Sequence, residues 1–328
     1  MSEMTYRDAL NLALKEEMRR DPSVVTWGED VALYEGSFKV TRGLLAEFGE
    51  ERVKDTPISE NTIVGVAVGA AMGGLRPVAE LMTVNFALLA MDQIINHMTK
   101  ISYMFGGQVN LPMVVRMPGG GGSQLAAQHS QSLETCFMHA PGIYVAYPAT
   151  PADAKGLLKT AIRDNNPVIF LEHELLYNSK GEVPEDPEFV VPFGKAAVLR
   201  EGTDVTIVAY ARMTILALQA AAELEKEGVS CEVVDLRTLS PLDTATFTES
   251  VRKTGRGVVV EECWRTCGLG AEIATRIYDG CFDRLLAPVR RVSGLDVPMP
   301  YSRELEKLCI PRVEDIVAAV RETLAAKY

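Results

Sequence analysis

The chain has 328 residues, which is enough for two domains of about 150 residues, each with its own core. Hydrophobic residues make up 47% of it and charged residues 23%, as in ordinary globular proteins. The formal net charge of −11 argues against a nucleic-acid partner, because phosphate binding needs clustered lysine and arginine.

The N-terminal segment, residues 1–20, alternates apolar, acidic and basic side chains and lacks the apolar core of a signal peptide. It is also too acidic for a mitochondrial presequence. The sequence contains no apolar stretch long enough to cross a membrane. We therefore expect a cytoplasmic protein of bacterial type, or a mature organellar chain, with no membrane partner.

The first half of the chain alternates short β-rich runs with helical stretches, which is typical of a parallel sheet covered by helices on both faces. The predicted strands are residues 24–27, 78–81, 111–115, 143–146 and 168–171. The predicted helices are residues 6–20, 62–74, 88–105 and 151–164. Thr150 is the expected N-cap of the last helix, with proline at its first position.

Residues 178–192 contain three prolines among glycine and acidic residues and are predicted to form a linker. The alternation then restarts. Strands are predicted over residues 205–210, 230–236, 257–261 and 289–292, and helices over 214–227, 269–278 and 313–326. The predicted fold class is α/β with two doubly wound domains, residues 1–190 and 191–328.

Glu60 follows an extended run and precedes a helix that carries Gly65, Gly69 and Gly73 on one face. Glycine inside a helix costs roughly 1 kcal/mol relative to alanine, so this spacing indicates a close approach by a backbone or a ligand. An apolar setting, with Ile58 nearby, would raise the pKa of the Glu60 carboxyl and keep its proton available. The alternative is that Glu60 only caps the helix, where an acid complements the dipole.

Three further residues lie where ligands could reach them. Glu29 ends the first strand, at the edge where open α/β sheets bind ligands. Phe86 follows a strand and could stack on a heterocycle. His129 lies just past a glycine-rich loop and could transfer protons near neutral pH. The ordinary alternatives are a solvated or capping acid, a core phenylalanine and a loop histidine.

These motifs resemble those of a known family. The Glu60 segment resembles the aminopyrimidine-binding motif of thiamine diphosphate enzymes, and Gln128-His129-Ser130-Gln131 resembles the β-subunit signature of 2-oxo acid dehydrogenases. Matching strings at residues 153–157, 161–167, 233–238 and 296–301 extend the resemblance over essentially the whole chain. The pattern is similar to β-subunits of pyruvate dehydrogenase decarboxylase components, which are transketolase-like.

The resemblance implies an N-terminal domain that binds the pyrimidine and a C-terminal domain for dimerisation and acyltransferase docking. Glu60 would hydrogen-bond the pyrimidine nitrogen and promote activation of the cofactor. Phe86 would position the pyrimidine, with Glu29 and Ile58 also at the cofactor. His129 would serve the substrate or the incoming lipoyl group.

The resemblance also suggests a potassium ion at the end of the predicted helix 151–164. Carbonyl groups there lack intrahelical partners and lie at the negative pole of the helix dipole. An ordinary C-terminal turn is the alternative. The implied ligands are Met113, Ala161, Asp164 and Asn166.

Thiamine diphosphate needs magnesium, which the family binds through the sequence Gly-Asp-Gly. This string is absent from the sequence. The resemblance therefore implies an α-subunit that holds Mg²⁺ and shares the thiamine diphosphate, in a heterotetramer of two α- and two β-subunits. The chain would be inactive alone.

The implied reaction is the oxidative decarboxylation of pyruvate, with acyl transfer to the lipoyl groups of a dihydrolipoyl acyltransferase, which links glycolysis to acetyl-CoA. Branched-chain homologues tend to have histidine where this chain has Gln128, which favours pyruvate. The β-subunit of acetoin dehydrogenase or of branched-chain 2-oxo acid dehydrogenase is the alternative. A non-catalytic assembly subunit is an alternative of another class.

Overall fold

The computed structural model describes residues 1–326 and divides into two compact units. The first unit comprises residues 1–119 and 136–193, and the second comprises residues 120–135 and the chain from 194 onward. Residues 120–135, which carry His129, therefore group with the second unit, whereas the predicted division at 190/191 places them in the first domain. The two domains themselves stay a prediction.

The first unit contains a parallel sheet with helices packed against it. The strands of this unit are β1 (Ser2–Thr5), β2 (Val24–Gly28), β3 (Val53–Asp55), β4 (Arg76–Glu80), β5 (Val114–Gly119), β6 (Tyr144–Ala146), β7 (Val168–His173) and β8 (Lys180–Val183). Its helices are α1 (Tyr6–Arg20), α2 (Leu44–Phe48), α3 (Glu60–Met72), α4 (Ile101–Met104), α5 (Glu134–Met138), which begins in the segment 120–135, and α6 (Pro151–Arg163). The parallel strands follow the order β6-β7-β5-β4-β2-β3.

Two predictions for this unit are wrong. The helix predicted over residues 88–105 is broken into a 3-10 helix (Val84–Ala90), a π-helix (Gln93–Met98) and α4. Here the backbone N–H of Thr99 donates to the carbonyl of Ile94, five residues earlier, at 3.2 Å, which is the pairing of a π-helix and not of an α-helix. The segment predicted as a linker contains β8, which pairs antiparallel with β1.

The second unit is built around a second, largely parallel sheet. The strands of this unit are β9 (Ala197–Arg200), β10 (Val205–Ala209), β11 (Cys231–Asp235), β12 (Thr238–Ser240), β13 (Gly257–Trp264) and β14 (Arg290–Gly294), and all of them except β12 belong to this sheet. Its helices are α7 (Ala211–Glu225), α8 (Thr244–Thr254), α9 (Leu269–Cys281), α10 (Arg303–Cys309) and α11 (Val313–Ala325). The sheet order is β14-β13-β10-β11-β9, with β9 antiparallel to β11.

Helix α8 is absent from the sequence predictions, although its ends carry local signals. Asp243 accepts a hydrogen bond from the backbone N–H of Thr246 at 3.3 Å, as an N-cap does. Gly255 follows the last turn in the left-handed conformation that helix ends favour.

Apolar side chains on both sheets face the covering helices. In the second unit, Ile207 and Val233 of the sheet pack with Leu224 of α7 and Ile316 and Val320 of α11, all fully buried. The predicted α/β class with helices on parallel sheets is confirmed. Across residues 1–326, no helix combines the length and apolar character needed to span a bilayer.

Candidate functional site

The parallel strands of the first unit bring several polar residues into one row near their carboxyl ends. Gly28 on β2 lies opposite Asp55 on β3 and Glu80 on β4, and Glu80 lies opposite Arg116 on β5. Glu80 and Arg116 are buried. Open α/β sheets bind their ligands at this edge, so the row marks the candidate site.

Gly28 allows β2 and β4 to approach closely at this edge. A Cβ atom at Gly28 would lie 2.5 Å from the backbone carbonyl oxygen of Glu80, so only glycine fits. Glu29 follows directly and is 6% exposed. One of its carboxyl oxygens, Oε1, is buried and has no hydrogen-bond partner among the described residues. Such an atom is costly unless a ligand supplies a donor.

Glu29 and Glu60 lie close enough to repel each other. Burial raises the pKa of the Glu29 carboxyl, and the charges of Glu60 and Asp30 raise it further. Glu60 is the first residue of α3 and is 4% exposed, so the sequence-predicted burial of this acid is confirmed. The structure thus brings two of the predicted site residues together.

The apolar setting expected around Glu60 is only partly present. Ile63 and Val64 of α3 are buried, whereas Ile58 is 81% exposed and does not shield the acid within this chain. Ser59 forms its side-chain hydrogen bond with the hydroxyl of Thr62 at 2.8 Å. An exposed isoleucine beside a buried carboxyl is suited to contact a ligand or a second chain.

Phe86 lies in the first unit, on the 3-10 helix that follows β4. Its backbone N–H donates to the carbonyl of Thr83 at 3.1 Å, and the hydroxyl of Thr83 accepts from the side-chain amide of Asn85 at 2.7 Å. Residue Phe86 is half-buried, so part of it is accessible. It can therefore offer an aromatic surface next to the carboxyl edge.

A buried ionic cluster stabilises the same edge, and the sequence analysis missed it. Arg116 donates from Nε and Nη2 to the two carboxyl oxygens of Glu172 at 2.7 and 2.8 Å, and from Nη1 to Glu80 at 2.6 Å. The hydroxyl of Tyr177 donates to Glu172 at 2.7 Å. Burial raises the pKa of Glu80, although Arg116 opposes this shift. The available signal was an arginine inside an otherwise apolar strand.

His129 lies in the second unit and is exposed, so it does not share a unit with Glu29, Glu60 and Phe86. Its backbone N–H donates to the carbonyl of Ala126 at 3.3 Å. Nearby in the same unit, a cavity of about 550 Å³ is open to solvent. Its lining residues are Ala127, Gln131, Trp264, Thr266, Asp296, Val297 and Pro298.

The end of α6, where potassium was predicted, already carries a positive side chain. Arg76 donates from Nη1 to the carbonyl oxygens of Ile162 and Asp164 at 3.0 and 2.9 Å. One carboxyl oxygen of Asp164 accepts from the backbone and side-chain amides of Asn166, both at 2.8 Å. These contacts occupy part of the negative pole of the helix. Potassium binding by Met113, Ala161, Asp164 and Asn166 stays a prediction.

Comparisons with known proteins place the chain among characterised sequences. Residues 2–180 match the pyrimidine-binding domain of transketolase, and residues 194–316 match the transketolase C-terminal domain. The pyruvate dehydrogenase E1 component subunit beta of Rhizobium meliloti is 53% identical over 98% of this chain and 70% of its own length. The protein of the same name from Rickettsia felis is 52% identical over 98% of both chains.

A solved structure supports the transketolase-like fold. It is described as a split gene transketolase, inactive beta4 tetramer, and matches with a TM-score of 0.80 at 29% identity, over 99% of this chain and 100% of that one. The resemblance identified from the sequence is therefore confirmed. With its two transketolase-type regions and its high identity to these relatives, the chain belongs to the family of pyruvate dehydrogenase E1 component beta subunits.

Proposed function

We propose that this chain acts as the β-subunit of a thiamine diphosphate-dependent pyruvate dehydrogenase, and that Glu29 and Glu60 contact the pyrimidine end of the cofactor. The pair of buried acids carries this proposal. One carboxyl oxygen of Glu29 lacks a partner among the described residues, and the charge of Glu60 raises its pKa. A heterocycle with a ring nitrogen and an amino group fits such a pair, because it can accept from one acid and donate to the other.

The residues of this edge have distinct roles in the proposal. Glu60 would form a hydrogen bond to the ring nitrogen through its carboxyl group. Phe86 would offer an aromatic surface for stacking, and the exposed Ile58 would cover one side of the ring. When bound, the cofactor supplies the electron sink that allows carbon dioxide to leave a 2-oxo acid.

His129 would act at the other end of the reaction, as a proton-transfer group for the substrate or the lipoyl group. Its exposure supports this role, because a lipoyl group carried by another protein must reach it from solvent. An imidazole also exchanges protons readily near neutral pH. The substrate in this proposal is pyruvate, since the relatives carry that name, and acetoin and branched-chain 2-oxo acids are less favoured.

The proposed assembly includes a separate α-subunit in a heterotetramer of two α- and two β-subunits. The absence of Gly-Asp-Gly from the sequence supports this, because the Mg²⁺ and the diphosphate then need another chain. The relatives are themselves named as beta subunits. On the basis of the family resemblance, the proposal also includes docking of the acyltransferase on the C-terminal domain. It further includes a bound potassium ion and a cytoplasmic location.

The test is reconstitution with the α-subunit, thiamine diphosphate, Mg²⁺ and pyruvate, followed by reduction of dichlorophenolindophenol. We expect Glu60→Gln to lower turnover at least about 100-fold, the usual scale for a lost proton-transfer group. Glu17→Gln is the matched control, because Glu17 is a buried acid of the same unit that lies on α1 and binds Arg163. Its folded tetramer should keep its activity.

Substrate choice is tested by comparing pyruvate, 3-methyl-2-oxobutanoate and acetoin on the same tetramer. If the tetramer prefers 3-methyl-2-oxobutanoate or acetoin, that compound replaces pyruvate as the proposed substrate. Full turnover by the Glu60→Gln tetramer would remove the proposed role of this acid. Turnover by the β-chain without its α-partner would contradict the proposal that the two subunits share the active site.

A further inference from the structure

The turn that precedes His129 has a strained backbone. Gly122 has a φ angle of 102°, and the non-glycine residues Gln124 and Ala126 have φ angles of 58° and 63°. L-residues rarely adopt this left-handed region, and they remain there only where the surroundings hold them. His129 follows three residues after Ala126, and its backbone N–H donates to the carbonyl of Ala126 at 3.3 Å, so the turn is directly connected to the histidine.

A buried carboxylate holds the turn. Glu306 on α10 is 2% exposed, and its Oε1 accepts from the backbone N–H groups of Gly122 and Gln124 at 3.0 and 3.1 Å. Its Oε2 also accepts from the amide of Gln124 at 3.2 Å. Hydrogen bonds to a charged acceptor are stronger than neutral ones. Since the described chain shows no cation paired with Glu306, these amides compensate its charge.

Three further contacts in the second unit fix the ends of the segment. The amide of Gly121 donates to Glu262 at 2.7 Å. A Cβ atom at Gly121 would lie 2.7 Å from Cδ1 of Ile310, so the loop packs closely against that side chain. At the other end, Tyr210 donates to Glu134 at 2.7 Å. The segment is therefore held on both sides of the exposed histidine.

We propose that Glu306 is a positioning residue: by binding the amides of Gly122 and Gln124 it holds the strained turn that presents His129 for reaction. Glu306 acts through the backbone and need not touch substrate or cofactor. The first part of the proposal, that Glu306 holds the turn, depends only on contacts within the second unit. The catalytic consequence rests on the proposed function of His129, so the two parts need separate readouts.

The first readout is hydrogen exchange of the peptide that covers residues 121–131, measured on the reconstituted tetramer. Glu306→Gln keeps the side-chain shape and removes the charge, and we expect it to raise the exchange rate of this peptide at least tenfold. Glu232→Gln is the matched control. Glu232 is a buried acid of the same unit that also accepts from a backbone amide, that of Gly202, and it should leave the peptide unchanged.

The second readout is a double-mutant cycle on the rate at which the tetramer acetylates a lipoyl domain. We expect Glu306→Gln and His129→Ala each to lower this rate at least tenfold. The double variant should be no slower than His129→Ala alone, because both changes remove the same contribution. A purely structural role would instead multiply the two losses.

Each failure has its own meaning. Unchanged exchange in the folded Glu306→Gln tetramer overturns the proposal, and so do multiplied losses in the cycle. Full activity of His129→Ala removes the proposed function of the histidine, while the exchange measurement still tests the hold on the turn. Should Glu306→Gln fail to fold, Glu306→Asp keeps the charge, shortens the reach and is judged by the same two readouts.

Discussion

Tyr210 donates a hydrogen bond of 2.7 Å to Glu134, and both side chains are buried in the second unit. Burial raises the pKa of the Glu134 carboxyl from its ordinary value of 4.5 to about 7, although the hydrogen bond from Tyr210 opposes the shift. The folded protein therefore keeps a proton on Glu134 at pH values where the unfolded chain has lost it. Folding stability must depend on pH through this residue.

We expect the contribution of Glu134 to the free energy of unfolding to fall as pH rises from 4.5 to about 7 and to stay constant above. The sign follows because the native state binds more protons than the unfolded state in this window. The loss is on the order of 3 kcal/mol, at roughly 1.4 kcal/mol for each pKa unit. Urea unfolding of the chain and of Glu134→Gln across this range measures it. A wild type and variant with the same pH dependence would contradict the shift.

Removal of the buried arginine should be severe. Arg116→Met leaves Glu80 and Glu172 buried without their cation, and we expect a loss of about 3 to 5 kcal/mol in the free energy of unfolding. Arg116→Lys keeps the charge but loses the paired geometry, so its cost should be smaller. Chemical denaturation of both variants tests the ranking.

The control for Arg116 is the same substitution at a surface pair. Arg19 is bound to Glu47 through two hydrogen bonds, but its side chain is 54% exposed. Arg19→Met should change stability by less than about 1 kcal/mol. Equal effects at the two sites would show that burial does not set the strength of the Arg116 cluster.

Glycine at the carboxyl edge should also be irreplaceable. In Gly28→Ala the new methyl group would meet the backbone carbonyl of Glu80 at 2.5 Å, so β2 and β4 must move apart. We expect a cost of about 1 to 3 kcal/mol, the usual scale for overpacking, and weaker thiamine diphosphate binding because Glu29 moves too.

Thermal denaturation and cofactor titration of the Gly28→Ala tetramer measure both effects. Gly257→Ala is the control, since its Cβ atom would have ordinary contacts, of 3.5 Å or more. If the Gly28→Ala tetramer binds the cofactor with wild-type affinity, Glu29 does not contribute to cofactor binding.

Local sequence signals predicted much of the fold. Helix α1 was predicted with the bounds that the structure shows, and α6 to within one residue, because caps and amphipathic spacing act over a single helix. The helix expected over residues 88–105 is wrong because the backbone pairing changes along it, with the N–H of Thr99 donating to the carbonyl of Ile94, five residues earlier. Strand β8 was missed because its partner β1 lies almost the whole first unit away in sequence.

The site was predictable where one segment carries the signal and hidden where distant segments meet. The burial of Glu60 followed from its own motif. Arg116 and Glu172 are 56 residues apart, and Gly122 and Glu306 are 184 residues apart. No spacing rule joins such positions, because the sheet order and the packing of α10 bring them together.

Gly69 tests whether the glycine face of α3 serves another chain. It is exposed, with no atom within 4 Å of a Cβ atom built there. Val66 and Ala70, its neighbours on α3, line an apolar groove of about 540 Å³. Because alanine favours a helix interior over glycine by roughly 1 kcal/mol, Gly69→Ala should stabilise the isolated chain by up to that amount.

The same substitution should weaken assembly, because the added methyl group fills the space that a closely approaching subunit would need. Chemical denaturation of the isolated chain and sedimentation of its mixture with the α-subunit separate the two effects. A stabilised chain that assembles as well as the wild type would show that Gly69 lies outside the interface with the α-subunit. A destabilised chain would instead show that Gly69 is needed within its own helix.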